Sequence, residues 1–158
     1  MRQNVGTGSA WEGVVGYSRA VRVGSSVHVA GTTAIRDGRV VAPGDAYTQA
    51  KVALEIVVKA LAACGAAPAD VVRTRMFVTD IRDWEAVGRA HGEVFAEVRP
   101  ASTMVQVTAL IDPDLLVEIE ADAVVGSGSG TGIPADDAGG SLGEGLGEDV
   151  EGLTPPGR

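Results

Sequence analysis

The chain has 158 residues, 45% of them hydrophobic and only 4% aromatic, with a formal net charge of −8. That length supports one well-buried core and not two, and the acidity argues against a phosphate-binding surface, because nonspecific nucleic-acid affinity comes from clustered Lys and Arg. The lone cysteine, Cys64, has no mate for an intramolecular disulfide, a thiolate zinc site or a paired-thiol redox motif, which fits a reducing cytoplasm.

The opening stretch MRQNVGTGSAWEGVVGY lacks the continuous apolar run of a signal peptide, and nowhere do eighteen apolar residues follow one another, so neither export nor a membrane span is expected. Tyr17 to Val23 and Val27 to Thr33 are short β-favouring runs separated by Gly24-Ser25-Ser26. Asp37-Gly38 then turns the chain into Arg39 to Val41, completing an antiparallel meander. Asp45 is placed to cap a helix from about Ala46 to Cys64, in which Ala50, Leu54, Val57, Val58 and Leu61 recur at helical spacing and Gly65 supplies the stop. Val71 to Asp80 reads as a strand with Val72, Thr74, Met76 and Val78 on one face and Arg73, Arg75, Phe77 and Thr79 on the other. Asp83 is expected to cap a second helix through about Val98, ended by Pro100. Ser102 to Leu110 and Leu115 to Val125 are the last strands, joined by the turn Ile111-Asp112-Pro113-Asp114.

The order ββ(β)αβαββ predicts an α+β sandwich with both helices on one face of a mixed sheet. The other face carries Arg73 and Arg75 on one strand and Glu118, Glu120 and Asp122 on another. A sheet face mixing apolar and charged residues either meets water or packs on another subunit, and the second is favoured, because such ion pairs count only when partly shielded. From Gly126 the composition changes: this segment holds 11 of the 22 glycines and six acids against Arg158, leaving the folded part, residues 1–125, at −3. A segment with so few large apolar residues cannot bury enough surface to offset its ordering entropy, so 126–158 is expected to be a flexible acidic tail. The alternating glycines at its start are no phosphate loop, since no helix follows them.

Four words then occur in order: GYSRAVRVG, VHVAGTTA, DVVRTRMFVTDIRDWEAV and RPASTMVQVTALIDPDLLVEIEADAVV. Together they resemble the Rid (YjgF/YER057c/UK114) superfamily over Val14 to Val125. The resemblance implies a chorismate-mutase-like fold assembled as a homotrimer, with clefts between subunits in which relatives hydrolyse enamine and imine acids without a cofactor. By the same resemblance Tyr17 and Gly31 line the cleft, Trp84 and Gly88 come from the second subunit, Glu118 positions the attacking water, and Ser102, Thr103 and Met104 shape the pocket. Glu120 joins this set as a secondary binding candidate, because it projects from the same strand face as Glu118.

The departure lies in PASTMV, where Ser102 aligns with the arginine by which the deaminating relatives hold a substrate carboxylate. A guanidinium makes two parallel charge-assisted hydrogen bonds; a serine offers one neutral donor. Losing two such bonds weakens anchoring by about 10² to 10⁴, so ordinary 2-imino acid deamination is disfavoured. Arg99 lies roughly 10 Å away along an extended chain and could substitute only if the loop folds back. Three readings follow: hydrolysis or tautomerisation of an imine, enamine or related carbonyl compound other than the simple 2-imino acids; a noncatalytic metabolite-binding or regulatory trimer; and a standard 2-iminobutanoate/2-iminopropanoate deaminase with a substitute arginine. Endoribonuclease activity is disfavoured by the charge. His28 and His91, without a second ligand at metal spacing, and Cys64, without a cationic partner, read as structural, and no metal or cofactor is expected.

Overall fold

In a computed structural model describing residues 1–126, the chain forms β1 (Arg2–Val5), α1 (Ala10–Val15), β2 (Ala20–Val23), β3 (Ser26–Thr33), the two-residue strands β4 (Ile35–Arg36) and β5 (Arg39–Val40), α2 (Ala46–Ala63), β6 (Val71–Val78), α3 (Trp84–Phe95), β7 (Ala101–Gln106) and β8 (Val117–Val124). The proposed tail, apart from Gly126, lies outside the described residues.

Six strands make one mixed sheet in the order β1-β2-β3-β8-β6-β7, while β4 and β5 form a separate ribbon. Neighbours are antiparallel except β6 and β7, which are parallel because α3 provides the crossover. Alternation on β8 separates the two faces. Val117, Ile119, Ala121 and Ala123 are buried under the helices, whereas Glu118, Glu120 and Asp122 project from the open face, half-buried. Ala50, Leu54, Val57 and Leu61 of α2, with Val87, Ala90 and Phe95 of α3, complete the core on the helix side. The α+β sandwich is therefore as expected, with both helices on one face.

The caps explain where α2 begins and ends. Asp45 Oδ1 accepts from the Thr48 amide at 2.9 Å. Gly65, at φ 72°, lets the Ala66 amide reach back to the Leu61 carbonyl at 2.9 Å. Several local expectations need correction. β1 and α1 were not expected; Ser9 caps α1, and its apolar residues Trp11, Val14 and Val15 stay exposed, so they give no core-directed pattern. The strand expected from Tyr17 starts only at Ala20. Asp83 makes no side-chain cap bond; a 3₁₀ turn over Ile81–Asp83, capped by Asp80, precedes α3 instead. In β6 a register shift between Val71 and Arg73 buries Val71 and leaves Val72 40% exposed, the reverse of strict alternation. The last two strands are shorter than expected, and α3 ends at Phe95.

One buried polar side chain ties two loops to this frame. Gln49, wholly buried on α2, donates to the carbonyls of Asp114 at 2.8 Å and Ala42 at 3.3 Å, and accepts from the Leu116 amide at 2.8 Å. It thereby fixes the entry of β8, the strand that carries Glu118. Gln49→Leu leaves the Asp114 carbonyl and the Leu116 amide unpaired, while the Ala42 carbonyl keeps the Asp45 amide, and is expected to cost about 2–4 kcal/mol, read as a lower urea midpoint at unchanged slope.

Candidate functional site

Two bends of the chain bring the candidate residues together. The pairing of β3 with β8 is interrupted between Val29 and Thr32, so Ala30 and Gly31 form an irregularity facing the loop from Tyr17 to Arg19. Gly31 is needed there for space: a Cβ at this position would stand 2.0 Å from Glu118 Oε1 and 2.9 Å from its Cδ. The Glu118 side chain lies directly over the missing methyl. Tyr17, Arg19, Gly31 and Glu118 line one open groove, which continues past Trp11 of α1 and Ile111.

The three acids of β8 differ in their partners. Arg75 Nη1 lies 2.7 Å from Glu120 Oε1 and 3.3 Å from Asp122 Oδ2, and His28 Nδ1 lies 2.7 Å from Asp122 Oδ1. Glu118 has no ion pair or hydrogen bond among the described residues. Burial pushes its carboxyl above the usual range, opposed by the Arg19 charge and assisted by Glu120. A half-buried carboxyl whose neutral form is favoured by burial is suited to exchange a proton with a bound molecule.

The other sequence candidates lie apart from this groove. Trp84 and Gly88 are on α3, with Trp84 48% exposed and open space beside Gly88. Ser102, Thr103 and Met104 are on the edge strand β7. Ser102 and Met104 share the helix side with Thr74 and Met76, Met104 packing against the core, while Thr103 sits beside Arg75 on the open face. Arg99, exposed, bends its Nε toward the Ala96 carbonyl at 3.3 Å. One chain thus gathers Tyr17, Gly31 and Glu118 but neither the α3 pair nor the β7 trio.

Two features escaped the sequence reading. The first is a line of hydrogen bonds behind β7: the buried Thr74 hydroxyl donates to Ser102 Oγ at 3.0 Å and lies 2.9 Å from His91 Nε2. Burial holds the His91 ring below its ordinary pKa. The second is Arg19, two residues after Tyr17 in the word GYSRAVRVG; that i, i+2 spacing was the available signal. Cys64 is buried, its thiol pushed up by desolvation, as a small core side chain should be. No described helix is long and apolar enough to cross a membrane.

A mixed sheet with two helices on one face and a half-buried carboxyl on the other defines a class of small α+β proteins. The family model described as endoribonuclease L-PSP matches residues 7–125, and the chain belongs to this family, the Rid or YjgF/YER057c/UK114 proteins. The crystal structure of Rv2704 from Mycobacterium tuberculosis, a member of that family, is similar at 52% identity and a TM-score of 0.73, covering 79% of this chain and all of the other. The protein SCO2049 of Streptomyces coelicolor is 43% identical over 79% of this chain and 93% of its own length. The 3-aminoacrylate deaminase RutC of Acinetobacter baylyi is 34% identical over 69% of this chain and 86% of its own.

Two outcomes follow from this geometry. Gly31→Ala is expected to fold but to swing the Glu118 carboxylate aside, so that its titration, followed by NMR, drops toward the ordinary carboxylate value. A raised folded-state pKa stabilises the protein below the ordinary carboxylate pKa, and that contribution is lost as pH rises through the raised value. Glu118→Gln should therefore raise the melting temperature at about pH 7, and the gain should vanish at about pH 3.

Proposed function

We propose that this protein is a cofactor-free hydrolase of a small imine or enamine, with Glu118 moving the proton. The observation that carries the reading is the half-buried, unpaired Glu118 carboxyl above Gly31, beside Tyr17. Glu118 in its neutral form protonates an enamine carbon, giving the imine. As a carboxylate it then takes a proton from a water molecule that adds to the imine carbon, and returns a proton to nitrogen. As the carbon–nitrogen bond breaks and ammonia leaves, the carboxylate takes the hydroxyl proton, so that a carbonyl compound remains and Glu118 is neutral again. Kinship with a 3-aminoacrylate deaminase supports this reaction class.

The complete cleft is proposed to form between subunits of a homotrimer. Trp84, Gly88, Ser102, Thr103 and Met104 do not line the Glu118 groove of one chain, and a neighbouring copy would supply them. Glu120, held by Arg75, is a secondary wall of this cleft. The hydroxyl at position 102 favours a substrate other than the simple 2-imino acids, since it cannot form the paired charged bonds that a guanidinium gives there.

Purified protein is offered 2-iminobutanoate and 2-iminopropanoate generated by an amino-acid oxidase, with semicarbazide capture as the readout. Wild type is expected to hydrolyse both slowly, with Ser102→Arg faster by at least about tenfold and Glu118→Gln inactive. Wild-type rates equal to those of an arginine-bearing relative would overturn the altered-substrate reading. Light scattering reads the assembly, and a monomer would refute the intersubunit cleft.

A further inference from the structure

Arg19 enters the groove from the residue preceding β2, and one corner of its guanidinium is fixed by the backbone. Nη1 donates to the Gly31 carbonyl at 2.7 Å and to Thr32 Oγ1 at 2.9 Å, with the Ala30 carbonyl at 3.3 Å. Those acceptors occupy both Nη1 protons. The remaining edge, Nε and Nη2, has among the described residues only Tyr17 Oη, at 3.5 Å, a distance at the limit of a hydrogen bond. The Tyr17 ring supports the same group, its centroid 5.6 Å from Cζ.

All of these partners are neutral. Arg19 has no ion pair among the described residues, although it is part-buried and lines the groove with Glu118. A guanidinium withdrawn from water and bonded only to neutral acceptors keeps its full charge, and it gains most from an anion arriving at its open edge. The two parallel donors of that edge match the spacing of carboxylate oxygens. Because Nη1 is already anchored, little side-chain freedom is lost when they engage.

We propose that Arg19 is the anion grip of this groove, holding the carboxylate of a small ligand through Nε and Nη2. The proposal rests on the groove being the ligand cleft and narrows its substrate: an unsaturated amine or imine whose acid group lies at the β2–β3 end, and not against position 102. A guanidinium two residues from Tyr17 thus supplies the charge that the β7 edge lacks.

The full-length protein is titrated with 2-oxobutanoate and, as the neutral probe of the same shape, 2-oxobutanamide, by calorimetry. Wild type is expected to prefer the acid by at least about tenfold, a preference that weakens with added salt. Arg19→Gln should bring the two probes within about twofold at an unchanged amide affinity, and Arg19→Lys should retain only part of the preference, because an ammonium lacks the fork. Arg19 also holds the carbonyls of the β3 irregularity, so each variant's melting temperature is recorded. The wild-type acid-over-amide ratio and its salt dependence test the grip even if a variant does not fold. Failure of wild type to bind the acid, equal binding of acid and amide, or an undiminished preference in folded Arg19→Gln would overturn the proposal. Turnover reads Glu118 separately: hydrolysis that survives Glu118→Gln removes the hydrolytic reading and leaves Arg19 standing. Lost acid preference with Glu118-dependent turnover does the opposite.

Discussion

The groove depends on a steric vacancy. Glu118 occupies the space above Gly31 that any other residue's Cβ would fill, with its carboxyl oxygen 2.0 Å from that position. The vacancy exists because the β3–β8 ladder is broken between Val29 and Thr32. The same irregularity turns the Ala30 and Gly31 carbonyls toward Arg19. Carboxyl, glycine and guanidinium are thus set by one local distortion of the sheet, itself supported from behind by Gln49 at the entry to β8.

Charge pairing on the open face then differentiates chemically identical groups. Glu120 and Asp122 share Arg75 as an ion-pair partner, and Asp122 also meets His28. Glu118 has lost water without gaining such a partner, so its neutral form is favoured. Three acids at alternate positions of a single strand thereby stand in different surroundings, and the difference arises from which cation is paired with each. Arg19 completes the contrast as a part-buried cation supported by carbonyls and a hydroxyl alone.

In one chain Tyr17, Gly31 and Glu118 line a common groove, while the other residues that the resemblance points to lie elsewhere. Tyr17, Gly31 and Glu118 converge through β3 and β8, adjacent in the sheet. Ser102 and Met104 lie two strands beyond β8 and turn to the helix side, where Ser102 joins a hydrogen-bonded line through Thr74 to His91. That arrangement holds the serine without placing it beside Glu118.

By itself the sequence determined the α+β class, the cores of both main helices, the central strands and the alternation that sends Glu118, Glu120 and Asp122 to one face. These rest on short-range periodicity and capping residues, which act within a few positions along the chain. Boundaries at Ala20 and Phe95, the exposed helix α1 and the buried Val71 were not legible, because a register shift or an unburied apolar turn leaves no periodic trace. Only the tertiary structure decided that Arg75 takes Glu120 and Asp122 but not Glu118, that Thr74 links Ser102 to His91, and that Arg19 lines the groove with its Nη1 held by the β3 backbone. Each of those outcomes depends on groups far apart in sequence competing for one partner, and such competition is resolved by distance in space.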